Sequence, residues 1–354
     1  DTAGSEAVFV KAVRRNVAFH AARCPEYAEI LRRREFGIAG LRSAGDLHTI
    51  PPLPTAFLKE HTLCSKPFDR MLFRSTTSGT GGRVSRVGLD WPTMLRGLGM
   101  SLGSFFANRL FSPRPVVYIM LGYQPAKRNK TGIVKTAHAS TFFAPALRRV
   151  YALKDNGVSY DLDMDGVKEA LLSCARRGTP VRLVGFPAYF LFLLNELKES
   201  GVRLQLHPKS MVLLGGGWKQ FFAERVDKFE LYALSAEVLG VGESRVREFF
   251  GVVEHPVVYV DCAKHRFHVP VYSRVLIRDP DLSPVGFHTP GILNLITPIM
   301  TAMPHTSLMT DDLAVLYPGE ECGCGIRSPY FEILGRVGAA GVKTCAAGAA
   351  ELLK

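Results

Sequence analysis

Short apolar runs alternating with helical stretches restrict this chain to few folds. Pro115–Leu121 reads as a buried strand, Val181–Gly185 as a second and Lys209–Leu214 as a third. Pro187 opens a helix that runs through Leu197, and Glu243–Phe250 reads as a short helix. Parallel strands cannot be joined by a tight turn and need a crossover, usually a helix. Repeated strand-then-helix units therefore predict an α/β fold with a largely parallel core sheet. From Val257 the pattern changes to short β segments: Val257–Val260, His268–Ile277, Ile292–Ile296 and Leu313–Leu316. These predict a second, β-rich and antiparallel subdomain.

Punctuating residues place the remaining elements. Val8, Val10, Val13, Val17 and Ala21 give Ala7–Arg23 a helical spacing, which Pro25 ends or restarts. Thr49–Thr55 is too proline-rich for a helix or a central strand and is expected to be extended. Asp90 caps a helix with Pro92 in its first turn, running through Met94, Leu98 and Phe105. Asp161, Asp163, Asp165 and Gly166 resemble the opening of a calcium loop, but the template demands Glu at its twelfth position, where this chain has Leu172. Calcium is excluded, and the aspartates are read as capping a helix that ends at Gly178.

Composition narrows the function classes. The 354 residues suffice for one large domain or several subdomains, with 47% hydrophobic and 21% charged residues as in ordinary globular proteins. The net charge of +12 comes from scattered clusters such as Arg32-Arg33-Arg34, Lys127-Arg128-Asn129-Lys130 and Arg176-Arg177. No recognition helix, zinc-finger spacing or aromatic RNA-binding motif accompanies them, so nucleic acid is not the expected partner. An anionic substrate or an acidic protein fits the charge equally well, and for any single cluster a merely solvated basic surface is the favoured reading. No signal peptide is read at Asp1–Val8. The longest uncharged run, Leu282–Thr310, is broken by Pro284, Pro290, Pro298 and Pro304, so no membrane span is expected. Seven irregularly spaced cysteines point to reduced thiols in a cytoplasmic protein, with metal or catalytic use ahead of disulfides.

The stretch Ser75-Thr76-Thr77-Ser78-Gly79-Thr80-Gly81-Gly82-Arg83 carries the strongest chemical signal. Glycine lets backbone approach a ligand closely, and clustered N–H groups with hydroxyls form an anion cradle. We read it as a polyphosphate grip, suited to ATP. It is not a Walker loop, because the Gly-Lys-Ser/Thr ending is absent. A plain Ser/Thr/Gly surface turn is the alternative.

Four pieces then line up in order. Thr77-Ser78-Gly79-Thr80-Gly81-Gly82 resembles the phosphate loop of the adenylate-forming superfamily. Phe250-Gly251-Val252-Val253-Glu254 resembles its Tyr-Gly-x-Thr-Glu motif, Thr310-Asp311-Asp312-Leu313 its Thr-Gly-Asp-Leu, and Gly335-Arg336 the Gly-Arg that follows. Closer still, Pro54–Lys59, Leu213–Lys219 and the Lys343-Thr344-Cys345-Ala346 tail resemble the acyl-protein synthetases, the LuxE-type fatty-acid ligases related to phenylacetate-CoA ligases. The resemblance covers nearly the whole chain.

It implies a large adenylate-forming domain over 1–256, a β-rich subdomain over 257–336 that completes the nucleotide site, and a short tail over 337–354 carrying Cys345. The usual C-terminal domain with its catalytic lysine is expected to be missing. It implies ATP and Mg²⁺, with activation of a fatty or other apolar acid to acyl-AMP and transfer to a cysteine for delivery to an acyl reductase. An acyl-donor protein is a second implied partner. Residue by residue, Ser78, Gly79, Thr80, Gly81 and Gly82 would hold phosphates, and Gly216 and Gly217 would border the adenine. Phe250 and Gly251 belong to the motif that ends in Glu254, the Mg²⁺-binding acid. Asp312 would accept from the ribose hydroxyls, Arg336 would stay near ribose or phosphate, and Cys345 would carry the acyl group. Ser307 and Met309 stand where phenylacetate-CoA ligases have arginine; Lys219 is a candidate substitute cation. Phe186, Tyr189, Phe190 and Phe192 are candidates for an acyl pocket or for ordinary core.

Cys262-x5-His268 and Cys322-Gly323-Cys324 make a cysteine/histidine set with structural-zinc character, for which His255 and His265 are competing ligands. Reduced core cysteines are the alternative. Two further readings stay open on sequence: an AMP-forming acyl- or aryl-CoA ligase, and a non-catalytic nucleotide-binding subunit of a reductase complex.

Overall fold

A computed structural model describes residues 3–76, 85–127, 129, 132–218 and 225–336. Ser78–Gly82, Lys219 and Cys345 lie outside the described residues. The chain divides into two compact units: Ser104–Phe250 forms one, and the segments up to Gly103 and from Gly251 onward form the other.

Within Ser104–Phe250 the strands stand in the order Val246–Phe250, Met211–Gly215, Val181–Gly185, Val116–Tyr123, Ala146–Asp155, Tyr160–Leu162. All neighbours pair in parallel except the last two, which are antiparallel. Helices Met164–Arg177, Pro187–Glu199 and Lys228–Leu239 supply the crossovers. They bury Val167, Leu171, Phe190, Leu194, Leu231 and Val238 against Ile119, Leu183 and Val212 of the sheet. Each such side chain is worth roughly 1.5–3 kcal/mol of transfer free energy. Phe190 is core, whereas Phe186, Tyr189 and Phe192 form an edge-to-face row only partly buried. Asp163 caps Met164–Arg177 by accepting from the Gly166 amide, and Gly178 closes that helix in the left-handed region.

The stretch Glu243–Phe250 differs from its predicted helix. Only Glu243–Arg245 makes a 3₁₀ turn, and Val246–Phe250 is a strand beside Met211–Gly215. Val246 and Glu248 alternate with Arg247 and Phe249, and the neighbouring strand supplies hydrogen bonds that a helix would have made internally.

The other unit opens with helix Ala3–Ala21, whose Phe9, Val10, Val13 and Val17 are buried while Val8 is exposed. Val8 therefore drops out of the predicted apolar face. The proline-rich stretch is extended at Leu53–Pro54, but helix Thr55–Glu60 follows at once. The β-rich part is antiparallel, in the order Phe267–His268, Tyr330–Arg336, Ser307–Tyr317, Gly291–Ile296, Arg274–Arg278. The predicted run His268–Ile277 is split, because the chain turns between His268 and Arg274. Leu53–Pro54 adds to this sheet in parallel, beside Leu308 and Met309.

Candidate functional site

Strand Ser307–Tyr317 is the element on which the site is built. Along one edge it meets Leu53–Pro54 at Leu308 and Met309, then Tyr330–Arg336 from Asp312 onward. Among the described residues, Thr310 and Asp311 fall between these two partners. On the other edge the register shifts, with Asn294 opposite Met309 but Ile292 opposite Leu313. The Thr-Asp-Asp segment is thus a bulge, and bulges turn side chains away from the regular pleat. Thr310 fills it: its hydroxyl donates to the Leu293 carbonyl at 3.4 Å and accepts from the Asp312 amide at 3.1 Å.

The bulge presents two carboxylates to two cations. Asp311 Oδ2 lies 3.6 Å from Lys59 Nζ, and Asp312 Oδ1 lies 3.9 Å from Arg336 Nε. Lys59 comes from helix Thr55–Glu60, which Leu53–Pro54 docks beside the strand. Arg336 ends strand Tyr330–Arg336 directly opposite Asp312.

Glu254 is buried in the same unit. Burial pushes its carboxyl up, the nearby Ser85 hydroxyl and the positive charge of Lys59 pull it down, and Asp311 pushes it up again, with the balance upward. A buried carboxylate surrounded in this way favours a cation. Ser85 is the first described residue after the glycine-rich stretch. The base of that stretch therefore comes close enough to the motif ending in Glu254 to influence its charge. His305 fixes the Glu254 backbone, with Nδ1 donating to its carbonyl at 3.0 Å.

The segment leading into the strand is anchored at several points. Asn16 Nδ2 and His20 Nε2 bond the Met300 carbonyl at 2.7 and 3.0 Å, and Arg96 Nη1 donates to that of Ile299 at 3.2 Å. Thr301 donates to Asp90, which Thr93 and Lys66 also contact. Against the upward push of burial, Lys66, Thr93 and Thr301 hold the Asp90 carboxyl down to about 2. Asp90 also accepts from the Thr93 amide as the cap of helix Trp91–Ala107.

Gly216 and Gly217 follow strand Met211–Gly215 in the other unit with φ of 81° and 67°. That left-handed pair turns the chain sharply at the C-terminal end of a parallel strand, where open α/β sheets bind ligands. Phe250 ends strand Val246–Phe250 in that unit, and Gly251 opens the return to the first. Lys59, Ser85, Asp311 and His305 were not singled out as site residues from sequence. Lys59 stands in the quoted Pro54–Lys59 motif and Asp311 beside Asp312; only the fold brings Ser85 and His305 to Glu254.

The four sulfur and nitrogen ligands of Cys262, His268, Cys322 and Cys324 lie within 4.8 Å of one another. Cys262 Sγ is 3.6 Å from Cys322 Sγ, and Cys324 Sγ is 3.2 Å from His268 Nε2. His268 Nδ1 donates to the Ser328 carbonyl at 2.7 Å, which leaves the Nε2 lone pair facing the sulfurs. Lys264 and Ile326 amides point at Cys262 and Cys324 sulfurs, and Gly323 and Gly325 adopt φ of 68° and 89° in the turn. Burial and the adjacent thiols push Cys322 up, whereas at Cys262 the upward push of burial is outweighed by hydrogen bonds from His268, the Lys264 and Arg266 amides and Cys322, which draw it down. The competing histidines are engaged elsewhere: His265 bonds Asp261 at 2.7 Å, and His255 stacks on Tyr259.

A profile for the family described as acyl-protein synthetase, LuxE, matches residues 3–353. This chain belongs to the acyl-protein synthetase family. Members are AMP-forming acid ligases, and the chain is one by this membership. Over 307 residues it is 26% identical to a long-chain-fatty-acid–luciferin-component ligase of Vibrio harveyi, covering 85% of this chain and 77% of that protein. The fold is similar to that of 2-hydroxyisobutyryl-CoA ligase. In its open conformation with an acyl-adenylate and CoA, the TM-score is 0.66 at 14% identity, covering 93% of this chain and 74% of the ligase. In its thioester-forming state the TM-score is 0.64 at 15% identity, covering 95% and 69%. The architecture is thus that of adenylate-forming enzymes. No helix among the described residues is long and apolar enough to cross a membrane.

Proposed function

We propose that this synthetase activates a fatty or other apolar carboxylic acid with ATP and passes the acyl group to Cys345 for delivery to an acyl reductase. A carboxylate oxygen of the acid bonds to the α-phosphorus of ATP as the bond to the β-phosphate oxygen breaks, releasing pyrophosphate. The Cys345 thiol loses its proton, and the thiolate attacks the acyl carbon as AMP leaves. Family membership and the nearness of Ser85 to buried Glu254 carry this reading, because it brings together the two motifs assigned to triphosphate and cation.

Ser78–Gly82 take the phosphates, Gly216 and Gly217 flank the adenine, and Asp312 accepts from the ribose with Arg336 beside it. Glu254 would hold Mg²⁺, whose positive charge would offset the charge developing on the pyrophosphate. Lys219 remains a candidate for a second positive charge. Cys262, His268, Cys322 and Cys324 would hold Zn²⁺ in a structural role, since three thiolates and one imidazole supply the full ligand set of a structural zinc site. A reducing, cytoplasmic setting suits a carrier thiol.

The test is carboxylate-dependent ATP–pyrophosphate exchange across fatty and aromatic acids, followed by transfer of radiolabelled acid to wild type and Cys345→Ala. Exchange with covalent label lost only in the variant is expected. Label retained by Cys345→Ala removes Cys345 as carrier. Thioester formation only with added CoA makes the chain a CoA ligase, and ATP binding without exchange over the panel makes it non-catalytic.

A further inference from the structure

Helix Trp91–Ala107 turns its apolar side outward. Trp91, Leu95, Leu98, Leu102 and Phe106 are 59%, 50%, 57%, 38% and 68% exposed, and they recur every three or four residues along one face. A surface helix normally shows the reverse, apolar residues inward and charges outward. The sole charged side chain on this helix is Arg96, whose guanidinium is turned back to the Ile299 carbonyl at 3.2 Å. At these exposures the five side chains present roughly 600 Å² of apolar surface, at the upper edge of what a monomer leaves uncovered. That is most of the roughly 800 Å² per partner of a standard interface.

The order of residues in the stripe selects its occupant. Around a point between Leu98 and Gly99 it reads the same in both directions: aromatic, leucine, centre, leucine, aromatic. An antiparallel pair of these helices about a two-fold axis sets Trp91 against Phe106, Leu95 against Leu102, and Leu98 over Gly99 of the other copy. A side-chain atom built on Gly99 would meet nothing within 4 Å, which leaves room for that leucine. Arg96 then faces Ser101 and not a second Arg96, so like charges are not opposed. An isologous interface needs this self-complementarity, each residue meeting its counterpart twice.

We infer that the protein forms a two-fold homodimer through antiparallel packing of helix Trp91–Ala107. The pairing buries the stripe without calling on Glu254, Asp311 or Asp312, so catalysis per chain is independent of it.

Sedimentation equilibrium on the intact chain tests this. Wild type is expected to dimerise with a dissociation constant of about 10 µM or tighter. Leu98→Arg and Leu95→Glu should each weaken it at least about 100-fold while leaving circular dichroism and pyrophosphate exchange per chain unchanged. Leu102→Gln, a milder change at an exposed site, should weaken it about tenfold. Leu95→Glu combined with Leu102→Lys should restore it to within about tenfold of wild type, because antiparallel pairing sets the introduced carboxylate against the introduced ammonium. A wild type monomeric at about 100 µM overturns the proposal and leaves the stripe to a different protein. A dimer that survives Leu98→Arg overturns it by placing the interface on another face, and a double variant that stays monomeric overturns the antiparallel arrangement.

Discussion

Glu254 is where the local electrostatics are most finely set. Burial favours its protonated form, while Ser85 and Lys59 favour the charged one. Removing Lys59 takes away the positive charge that offsets Asp311 and pushes the carboxyl further up. Lys59→Met is therefore expected to shift the acid limb of the exchange rate to higher pH, measured as kcat/KM for ATP between pH 5 and 8. Glu254→Gln should lower kcat/KM by roughly 10²-fold or more and flatten the response to Mg²⁺, as expected when an electrostatic contact to the reacting phosphates is lost. An unchanged Mg²⁺ response in Glu254→Gln would assign the cation to another group. Glu254 and Asp312 are proposed from the motif order, because each stands at a fixed place in a short pattern. Ser85 and His305 are not, since 169 and 51 positions separate them from Glu254 and no local pattern links them.

At the scale of elements, spacing indicated most helices and strands, and neighbours decided the rest. Val246–Phe250 has too few residues for periodicity to separate helix from strand, and the open edge beside Met211–Gly215 settles it. The bulge at Thr310–Asp312 leaves no mark in sequence, because it arises from where three partner strands begin and end. The cysteine turn is the opposite case: Cys322-Gly323-Cys324 announces a ligand pair, and the fold brings Cys262 and His268 to it. Cys324→Ser is expected to cut bound zinc below about half an equivalent and to lower the melting temperature by several degrees, since metal bound only by the folded state adds its binding free energy to stability. Equal metal content and melting behaviour in wild type and variant would remove the metal assignment.

The whole molecule holds several imidazoles in its interior. Burial pushes His20 down to about 4 and His255 to about 3, the latter helped by nearby His305, which burial itself brings to about 4. An unfolded chain takes up these protons near pH 6.5. Between pH 6.5 and about 4 the unfolded state therefore binds more protons, so stability is fully present above 6.5 and is lost as pH falls through that window. At pH 5 each of the three costs roughly 2 kcal/mol, a large share of a typical folding free energy. Urea midpoints should fall steeply from pH 7 to 5, and His20→Asn should flatten that dependence by about one proton. A midpoint level across this range would mean that the imidazoles are not kept neutral.

By itself the sequence determined the α/β alternation, the antiparallel second half, the caps at Asp90 and Asp163, and the set of chemical motifs. Each is written in residues close together in the chain, where steric and hydrogen-bonding preferences act directly. Tertiary structure alone decided which carboxylates share a neighbourhood, which histidines lose their protons to burial, and that helix Trp91–Ala107 keeps its apolar face outward. Those properties depend on dielectric, charge and packing supplied by residues hundreds of positions away, and a linear pattern carries no record of them.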